Sequence, residues 1–551
     1  MTPLADVDLS APFEHDTVLE VRTSTMKTMP GLKIQSGIDK NIREGRVTVS
    51  KFGLDADEHD PTFHGGIDKA IHGYCSSHYP KWRAEFPASA AMFRPGGFGE
   101  NLVTARMNER NVCIGDVVAV GDDGVLLQVS LPRQPCFKLN HRFQLKNFAP
   151  NTYKLSRTGW YYRVLRGGTV GAGDKIRLVE RRWEKWTIER VQEYLHRTLD
   201  NLAMNEELAC IEDMGDESRK AFVRRVAKQK REAGNEASEA ESWKDYRVAE
   251  VKTQTPRIKS FVLERIHNDP ASEGESAVQE GAHARLRLPN GLLRSYSIVS
   301  GSSSRFELGI ALEEPSRGGS AYMHESVREG NVLQVGRVTT DINPAGAASA
   351  HVFIVGGIGI TAFLSLMEAM RNINWEVRLH YGVRSSSDIP FADRVNALGD
   401  SVHIYDASQG QRMDIPHILD TMGWNAHVYV CGPARLLDEA SLEARKRGLG
   451  EDEIHCEAFN ANTTGVSFEA EVVNWGGKVL SVGEEETLLE VLRREFDDVP
   501  SSCEVGNCGT CRVLLKSGQV EHRGTALMDE EKREAMLSCV SRGHGRIAIE
   551  I

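Results

Sequence analysis

Residues 503–511, CEVGNCGTC, decide the fold of the last part of the chain. Cys503, Cys508 and Cys511 are spaced C-x4-C-x2-C, and 27 residues separate Cys511 from Cys539. Plant-type 2Fe-2S clusters have this ligand spacing. Buried structural thiols or disulfides are the alternative, but three cysteines within nine residues at this spacing favour the cluster. An electron carrier at this position predicts an electron source and an electron acceptor upstream.

Length and composition bound the rest of the protein. The 551 residues are too many for one core and predict about three to five domains. The chain is 40% hydrophobic and 26% charged with a formal net charge of −11, and this acidic balance offers no basic stripe for nucleic acid. Neither a basic leader nor a run of about eighteen apolar residues marks a membrane segment. With its other cysteines scattered as in a reducing compartment, the chain is expected to be cytoplasmic, with no nucleic-acid and no membrane partner.

The first part of the chain, residues 1–183, is rich in glycine and in short alternating runs bounded by turn residues. This pattern predicts a mostly β, barrel-like domain. Three segments in it contain candidate functional residues: HGGIDKAIHGY (64–74), GGFGENLV (96–103) and LPRQPCFKLN (131–140).

Cys136 is the candidate reactive residue of the third segment. It follows a predicted strand and lies between Arg133 and Lys138, and nearby cations lower a thiol pKa. It is therefore a better candidate thiolate than the other cysteines of this part, Cys75, Cys113 and Cys210. From these residues alone, a buried structural thiol among turn-forming glycines stays the favoured alternative.

These segments, with GWYYRVLRGGTVGAGDKIRL at 159–178, resemble a MOSC domain, the module shared with the C-terminus of molybdenum cofactor sulfurase. The resemblance is closest to the bacterial branch linked to resistance to 6-N-hydroxylaminopurine. It implies that Cys136 is a molybdenum ligand, which suits a soft thiolate, and that the domain reduces N-hydroxylated compounds. It further implies a pterin or substrate pocket lined by His64, Asp68, Lys69 and Asn101. Arg133 and Lys138, which flank Cys136, are further candidate cofactor-binding residues.

Residues 184–229 change to a helical pattern. Ile188, Val191, Leu195, Leu199 and Leu202 recur at three- and four-residue spacing, which predicts an amphipathic helix whose apolar stripe serves packing. A second helix comes next. Residues 230–242 are charged and nearly without large apolar side chains, so we expect a solvated linker there.

Beyond the linker, RSYSIVSG at 294–301 places Arg294, Tyr296 and Ser297 on one predicted strand. These side chains form a compact set for binding a phosphate and a ring edge. Ser320, after Gly318 and Gly319, begins a predicted helix whose free N–H groups offer a second anion site. R-x-Y-S alone is a weak motif, and its position ahead of a glycine-rich strand-to-helix segment makes it strong.

The segment from His351 reads HVFIVGGIGITAFLSLMEAMR, in which an apolar strand leads through glycines into a helix. This arrangement presents backbone N–H groups to a pyrophosphate. The full G-x-G-x-x-G spacing is missing, so a tight strand-to-helix turn is the alternative. Further on, HVYVCGPARLLDEA ends another strand at Cys431 and Gly432, and ligands of open α/β sheets bind at such strand ends.

RSYS, GGIGIT, CGP and HCEAF together resemble the ferredoxin reductase superfamily, closest to its phthalate dioxygenase reductase and vanillate demethylase reductase branch. The resemblance covers residues 243–551 and implies FMN rather than FAD. It assigns these residues to the flavin: Arg294, Tyr296, Ser297, Ser320, Glu457 and Phe459. It assigns these to the nicotinamide cofactor, with Cys431 in a catalytic role: Gly356, Gly357, Gly359, Thr361, Cys431 and Gly432.

The choice between NADH and NADPH stays open. Arg384 and the serines 385–387 are suited to a 2′-phosphate, whereas Asp388 is suited to a ribose hydroxyl. Since the branch mostly uses NADH, the resemblance leans slightly that way.

The predicted protein is multidomain: a β-rich MOSC barrel with a helical tail, a flavin-binding antiparallel β-barrel, an α/β nicotinamide-binding domain and an α+β (β-grasp) ferredoxin. The predicted boundaries are 1–183 for the MOSC domain, 184–229 for the helical extension, 230–242 for the linker, 243–345 for the FMN barrel, 346–460 for the NAD(P) domain and 466–551 for the ferredoxin.

These parts predict an NAD(P)H-dependent iron–sulfur flavoprotein oxidoreductase, because flavin converts the two-electron chemistry of nicotinamide into one-electron steps. In our first hypothesis the acceptor is a molybdenum cofactor on Cys136 that reduces a small N-hydroxylated substrate. In the alternative, a separate Rieske-type oxygenase takes the electrons, and the MOSC domain is a docking or sulfur-carrying module. We favour the first because the loop around Cys136 is hard to explain in a docking module.

Overall fold

The chain divides into two structural units, Met1–Ser238 with Gly346–Ser349, and Glu239–Ala345 with Ala350–Ile551. The predicted site residues His64 and Cys508 lie outside the residues that the structure describes. No helix within the described ranges is both long and apolar enough to cross a bilayer. The computed structural model describes residues 12–60, 65–234, 243–266, 277–314, 318–340, 342, 344–459, 463–496, 499–501, 503–507, 509–524, 526–527 and 531–551.

The strands of the first unit are β1 (His15–Thr23), β2 (Lys27–Thr28), β3 (Gln35–Ser36), β4 (Asn41–Ile42), β5 (Val47–Ser50), β6 (Gly53–Leu54), β7 (Ile71–Cys75), β8 (Leu102–Thr104), β9 (Val117–Val120), β10 (Val125–Pro132), β11 (Trp160–Arg166), β12 (Gly168–Val170) and β13 (Lys175–Glu180). Seven of them form a closed barrel, because the sheet runs β13-β9-β10-β11-β7-β8-β1 and β1 pairs back to β13. β4 extends this sheet beyond β1, while β12-β5-β6 and β2-β3 form separate small sheets. Large apolar side chains such as Val18, Leu127 and Trp160 fill its core. The barrel-like domain that the sequence predicts is confirmed.

A second core of aromatic rings holds the three predicted segments of this unit together. The rings belong to β7, to the glycine-rich loop before β8 and to the short helices α1 (His78–Glu85), α2 (Phe137–Phe143) and α3 (Phe148–Lys154). Tyr74 stacks on Phe98 with ring centroids 4.3 Å apart, and Phe93 stacks on Phe143 at 4.4 Å. Glu100 is fully buried and accepts hydrogen bonds from the backbone N–H groups of the same loop, so the loop has one fixed shape.

The helical tail comprises α4 (Ile188–Gln192), α5 (Leu202–Ala209) and α6 (Asp216–Gly234). Ile188, Val191 and Leu195 bury their side chains against the barrel core, as predicted. The predicted stripe does not continue as one helix, however. The chain makes a π-helical turn that ends at Arg197, Leu199 is exposed, and a new helix begins at α5, because the Asn201 side chain accepts a hydrogen bond from the first turn of α5 and caps it.

The second unit begins with an antiparallel barrel. Its strands are β14 (Lys244–Thr255), β15 (Ile258–Arg265), β16 (Ala282–Arg287), β17 (Leu293–Gly301), β18 (Arg305–Ala311) and β19 (Val332–Thr340), with helix α7 (Gly319–Glu325) between the last two. The barrel closes in the order β14-β15-β18-β17-β16-β19. Alternate residues such as Phe261, Leu286 and Leu308 fill it, as the alternating sequence pattern predicts.

A five-stranded parallel sheet comes next, in the order β22-β21-β20-β23-β24, with a change of direction beside β20, where such sheets bind ligands. Its strands are β20 (Ala350–Gly356), β21 (Val377–Val383), β22 (Val402–Asp406), β23 (Ala426–Cys431) and β24 (Ile454–Glu457). The helices are α8 (Ile360–Asn372), α9 (Ala392–Ala397), α10 (Ile415–Thr421) and α11 (Ala434–Lys446).

The chain ends in a mixed sheet ordered β26-β25-β29-β27-β28, in which β25 and β29 are parallel. Its elements are β25 (Phe468–Val472), β26 (Lys478–Val482), α12 (Leu488–Glu495), β27 (Arg512–Glu521), β28 (Ala535–Leu537) and β29 (Arg542–Glu550). A capping box between Thr487 and Glu490 starts α12, whose apolar face packs on the sheet. The predicted multidomain fold class is confirmed, while the proposed boundaries between the domains stay predictions.

Candidate functional site

A cavity of about 140 Å³ in the second unit brings together β17, the start of α7, the end of β24 and the cysteine loop. Thr361, which the resemblance assigns to the nicotinamide, lines this cavity instead. Predicted flavin residues and residues of the cysteine loop share its wall: Arg294, Tyr296, Ser297, Ser320, Thr361, Glu457, Phe459, Cys503, Val505 and Asn507.

The cavity offers a hydrogen-bond donor to a ligand. The Tyr296 hydroxyl is buried and has no hydrogen-bond partner among the described residues. Burial raises the Tyr296 pKa well above its usual range, so the hydroxyl keeps its proton and can donate. Gly319 makes room for a cation, because a Cβ there would lie 2.7 Å from the Arg294 side chain. A donor and a cation beside one cavity fit the ring edge and the phosphate of a flavin.

Two of the predicted cluster cysteines lie together, and a third lines this cavity. The Cys511 and Cys539 sulfurs lie 3.1 Å apart, and both residues are buried. Cys503 is also buried and lines the cavity wall. Three thiols at the predicted spacing, with Cys508 in the same loop of the sequence, fit a 2Fe-2S cluster.

The cysteine loop follows a tightly curved path. Glu504 and Gly506 both have positive φ, 57° and 86°, and a Cβ on Gly506 would lie 2.8 Å from the Gly524 Cα. Glycine at 506 is therefore required by space as well as by backbone angle. Such conformations persist only where surrounding contacts hold them.

A larger crevice of about 700 Å³ runs along the C-terminal ends of the parallel strands. Gly356 and Gly357 line it after β20, and Gly432 lines it after β23. Ile358 and Phe459 line both this crevice and the flavin cavity. The two spaces thus share a wall, which suits a nicotinamide that approaches a flavin ring.

Besides Thr361, two further predicted nicotinamide residues, Gly359 and Cys431, do not line the crevice. Cys431 is fully buried, and burial raises the pKa of its thiol well above the usual range. Gly359 packs against it, since a Cβ there would lie 2.5 Å from the Cys431 carbonyl oxygen. Gly359 and Cys431 form packing beneath the crevice, and the catalytic role of Cys431 stays a prediction without a direct contact to support it.

The choice of nucleotide depends on the strand ends beyond β21 and β22. Arg384 and Asp388 both line the crevice. The Asp406 carboxylate accepts hydrogen bonds from the backbone N–H and hydroxyl groups of Ser386 and Ser408 at 2.6–2.9 Å. The Asp406 carboxylate is therefore already bonded to these two serines. Arg384 and Asp388, which carry opposite charges, face the crevice.

The first unit holds a separate, small cavity of about 60 Å³. Burial raises the pKa of the Cys75 and Cys113 thiols to about 12, whereas Cys136 is partly exposed. The predicted residues that line the cavity are Lys69, Asn101, Arg133, Cys136 and Lys138.

This cavity is rich in cations. Lys138 pairs with Asp60 at 2.9 Å, and Lys40 pairs with Asp57. Arg133 is only 2% exposed, and its Nε and Nη1 atoms have no hydrogen-bond partner among the described residues. Because an uncompensated buried cation is costly, its two nitrogens fit an anionic group of a ligand.

The prediction that Asp68 lines the pocket is wrong. Asp68 does not line the cavity. Its carboxylate instead accepts hydrogen bonds from the Arg163 side chain, at 2.8 Å from Nε, and from the Asp216 backbone at 3.1 Å. His72 and Tyr161 also line the cavity, and they lie within the segments 64–74 and 159–178. No local sequence pattern indicates the other lining residues Lys40, Asp57, His59 and Asp60, which come from a different part of the chain.

Comparison with known proteins agrees with this arrangement. The MOSC domain family matches residues 60–177, and the 2Fe-2S iron–sulfur cluster binding domain family matches residues 473–542. A protein named "Reductase" from Gibberella moniliformis is 35% identical over 570 residues, which covers 100% of this chain and 98% of that protein. The chain belongs to the family of this reductase. It is an NAD(P)H-dependent iron–sulfur flavoprotein oxidoreductase, and the predicted fusion of a MOSC domain with a ferredoxin-containing reductase is confirmed.

Two further relatives match about half of the chain. The heme-dependent oxidative N-demethylase beta subunit of Ectopseudomonas mendocina is 33% identical over 304 residues, which covers 55% of this chain and 96% of that protein. The solved structure of a phthalate dioxygenase reductase, which carries electrons from pyridine nucleotides to a 2Fe-2S centre, is 27% identical. It covers 56% of this chain and 98% of its own, with a TM-score of 0.45.

Proposed function

We propose that this protein takes electrons from NAD(P)H and delivers them, through FMN and a 2Fe-2S cluster, to a separate terminal oxygenase. The observation that carries the proposal is that three sites of the second unit adjoin one another: the nucleotide crevice, the flavin cavity and the cysteine loop. Phe459 lines both the nucleotide crevice and the flavin cavity, and Cys503 lines the same flavin cavity. When bound, FMN supplies the conversion of a two-electron hydride into single electrons.

The protein's own residues supply binding and order. Tyr296 offers its O–H, Arg294 offers a cation, and Phe459 lines both the flavin cavity and the nucleotide crevice. The choice of FMN over FAD rests on the resemblance. Relatives named as subunits of oxidative demethylase and dioxygenase systems support the external acceptor over the molybdenum reaction that we favoured from the sequence.

The test is reconstitution with purified oxygenase components of the Rieske and the heme-dependent N-demethylase classes. We expect NAD(P)H oxidation and oxygen uptake to become coupled to substrate turnover when the matching component is added. Cys136→Ala should leave this delivery unchanged. Reduction of a hydroxylaminopurine by the chain alone, dependent on Cys136, would contradict the proposal.

A second candidate function rests on Arg133. Its buried guanidinium, in a cavity shared with Cys136, supports binding of an anionic cofactor such as molybdopterin phosphate. Under this alternative the MOSC domain holds molybdenum and reduces small N-hydroxylated compounds. Molybdenum analysis of protein from a molybdenum-replete host separates the candidates, because the reductase function needs no molybdenum.

A further inference from the structure

Asn507 links the cysteine loop to the wall of the flavin cavity. Its backbone N–H donates to the Cys503 sulfur at 3.3 Å. Its side-chain Nδ2 donates to the Ala458 carbonyl oxygen at 2.9 Å, and its Oδ1 accepts from the Ala458 N–H at 3.4 Å. Ala458 lies between Glu457 and Phe459, and all three line the flavin cavity. One residue therefore contacts both a cluster ligand and the flavin wall.

The start of the same loop is held to the flavin barrel. Arg285 of β16, with only 6% of its side chain exposed, donates to the Ser501 carbonyl at 2.9 Å and to the Glu504 carboxylate at 3.1 Å. Arg493 of α12 donates to the same carboxylate at 2.7 Å. Cys503 thus lies between two attachment points, one on the flavin barrel and one on the nicotinamide domain.

We propose that Asn507 is a positioning residue that sets the separation between the flavin cavity and the iron–sulfur cluster, and so governs the step that reduces the cluster. The inference rests on the electron path of the proposed function. Each NAD(P)H is oxidised to NAD(P)⁺ with loss of two electrons and one proton. The cluster accepts these electrons one at a time, and the oxygenase of the proposed function reoxidises it between the two reductions. The rate of each reduction falls steeply as donor and acceptor move apart.

The bond to the Cys503 sulfur gives Asn507 a second effect. Hydrogen bonds to cluster sulfurs tune the reduction potential, and this one comes from the backbone, so a side-chain substitution cannot delete it. The substitution can only move it, because the side-chain amide fixes where the loop lies. A displaced loop should therefore change the spectrum of the cluster as well as the rate of its reduction.

The experiment uses the full-length protein with its flavin and iron bound, mixed anaerobically with NADH in a stopped-flow instrument. We expect Asn507→Ala to slow cluster reduction about tenfold more than it slows flavin reduction, since small displacements of reacting centres have large kinetic effects. The EPR spectrum of the dithionite-reduced cluster should shift. Asn507→Asp, which loses the donor to the Ala458 carbonyl but keeps the size, should slow the same step.

Asn474→Ala is the matched control. Asn474 makes the same pair of bonds within the ferredoxin domain, with Nδ2 donating to the Ile551 carbonyl at 2.8 Å and Oδ1 accepting from its N–H at 3.4 Å. It does not line the flavin cavity, so its loss should change neither rate. Wild-type cluster reduction in both Asn507 variants overturns the proposal. Loss of iron from both also overturns it, because Asn507 would then build the cluster site.

Failure of the proposed function gives a different result. If no oxygenase component accepts electrons, the wild-type chain still reduces its own cluster, and the effect of Asn507→Ala is still measurable. If instead the wild-type flavin is not reduced by NADH or NADPH, the electron path itself is wrong and the positioning role falls with it.

Discussion

Gly432 lies directly against Gly356 where β23 and β20 end. A Cβ on Gly432 would stand 3.1 Å from both the Cα and the N atom of Gly356. Both glycines line the nucleotide crevice. Because neither has a side chain, the crevice keeps space there for a dinucleotide.

Gly432→Ala should therefore weaken NAD(P)H binding while leaving the flavin bound. Overpacking against backbone costs about 1–3 kcal/mol, which corresponds to a rise in Kd of about fivefold to somewhat over a hundredfold. Titration of the oxidised protein with NADP⁺ and NAD⁺ measures this loss. Gly448→Ala is the control, because Gly448 also has positive φ, 71°, but a Cβ there meets no atom within 4 Å. If Gly432→Ala and Gly448→Ala lose nucleotide affinity equally, backbone strain explains the loss and the lack of space for a Cβ does not.

Tyr296→Phe removes a hydroxyl that has no hydrogen-bond partner among the described residues. We expect the stability of the flavin-free protein to be unchanged and the flavin Kd to rise about fivefold, the value of one hydrogen bond of about 1 kcal/mol. Flavin fluorescence quenching on binding gives the Kd.

Tyr246→Phe in the same barrel is the contrasting variant. The Tyr246 hydroxyl donates to the Ser303 carbonyl at 2.6 Å, so its removal should lower the free energy of unfolding by about 1 kcal/mol without changing flavin affinity. A loss of stability in Tyr296→Phe, with unchanged flavin affinity, would show that its hydroxyl serves the fold.

The sequence predicts local motifs of this protein well and long-range contacts poorly. The thiols of Cys503 and Cys511, and glycines such as Gly356, are recognisable because spacing along the chain determines their chemistry. The bridge from Asn507 to Ala458 joins residues 49 positions apart, and no local pattern indicates it.

The wrong sequence predictions, for Asp68 and Leu199, also arise because local spacing does not determine contacts in the fold. Asp68 and Lys69 are adjacent in one motif, yet Lys69 lines the cavity and Asp68 faces Arg163, because successive residues of a short turn point in different directions. Leu199 continues the apolar spacing of α4, but the chain has already left the helix at Arg197. Periodicity indicates which residues suit a face and does not determine where the helix ends.

Two histidines, the buried His351 and the partly buried His455, make the α/β domain sensitive to acid. Burial lowers the pKa of His351 to about 3 and, together with the neighbouring His427, that of His455 to about 4. An unfolded histidine titrates near about pH 6.5, so below that pH the unfolded chain binds more protons than the folded one. Stability that is fully present above pH 6.5 is therefore lost as the pH falls toward 4.

His455→Gln should reduce the drop in thermal midpoint between pH 7.5 and pH 5.0. The midpoint at pH 7.5 should also fall, because His455 stacks on Tyr429 with ring centroids 4.6 Å apart. The exposed His417 offers the control, and His417→Gln should keep the wild-type drop. An undiminished drop in His455→Gln would exclude this histidine as a source of the acid sensitivity.

Arg133→Met should stabilise the ligand-free MOSC domain and abolish its capacity for an anionic ligand. The wild-type guanidinium is buried with two nitrogens that have no hydrogen-bond partner among the described residues, and replacing a buried charge with an apolar side chain of similar length can stabilise by about 1 kcal/mol or more. Calorimetry with and without added phosphate, together with molybdenum analysis, measures both effects. Arg163→Met is the control, since it breaks the ion pair with Asp68 and should only destabilise. A destabilised Arg133→Met that still responds to phosphate would show that Arg133 supports the fold and that the anion binds elsewhere.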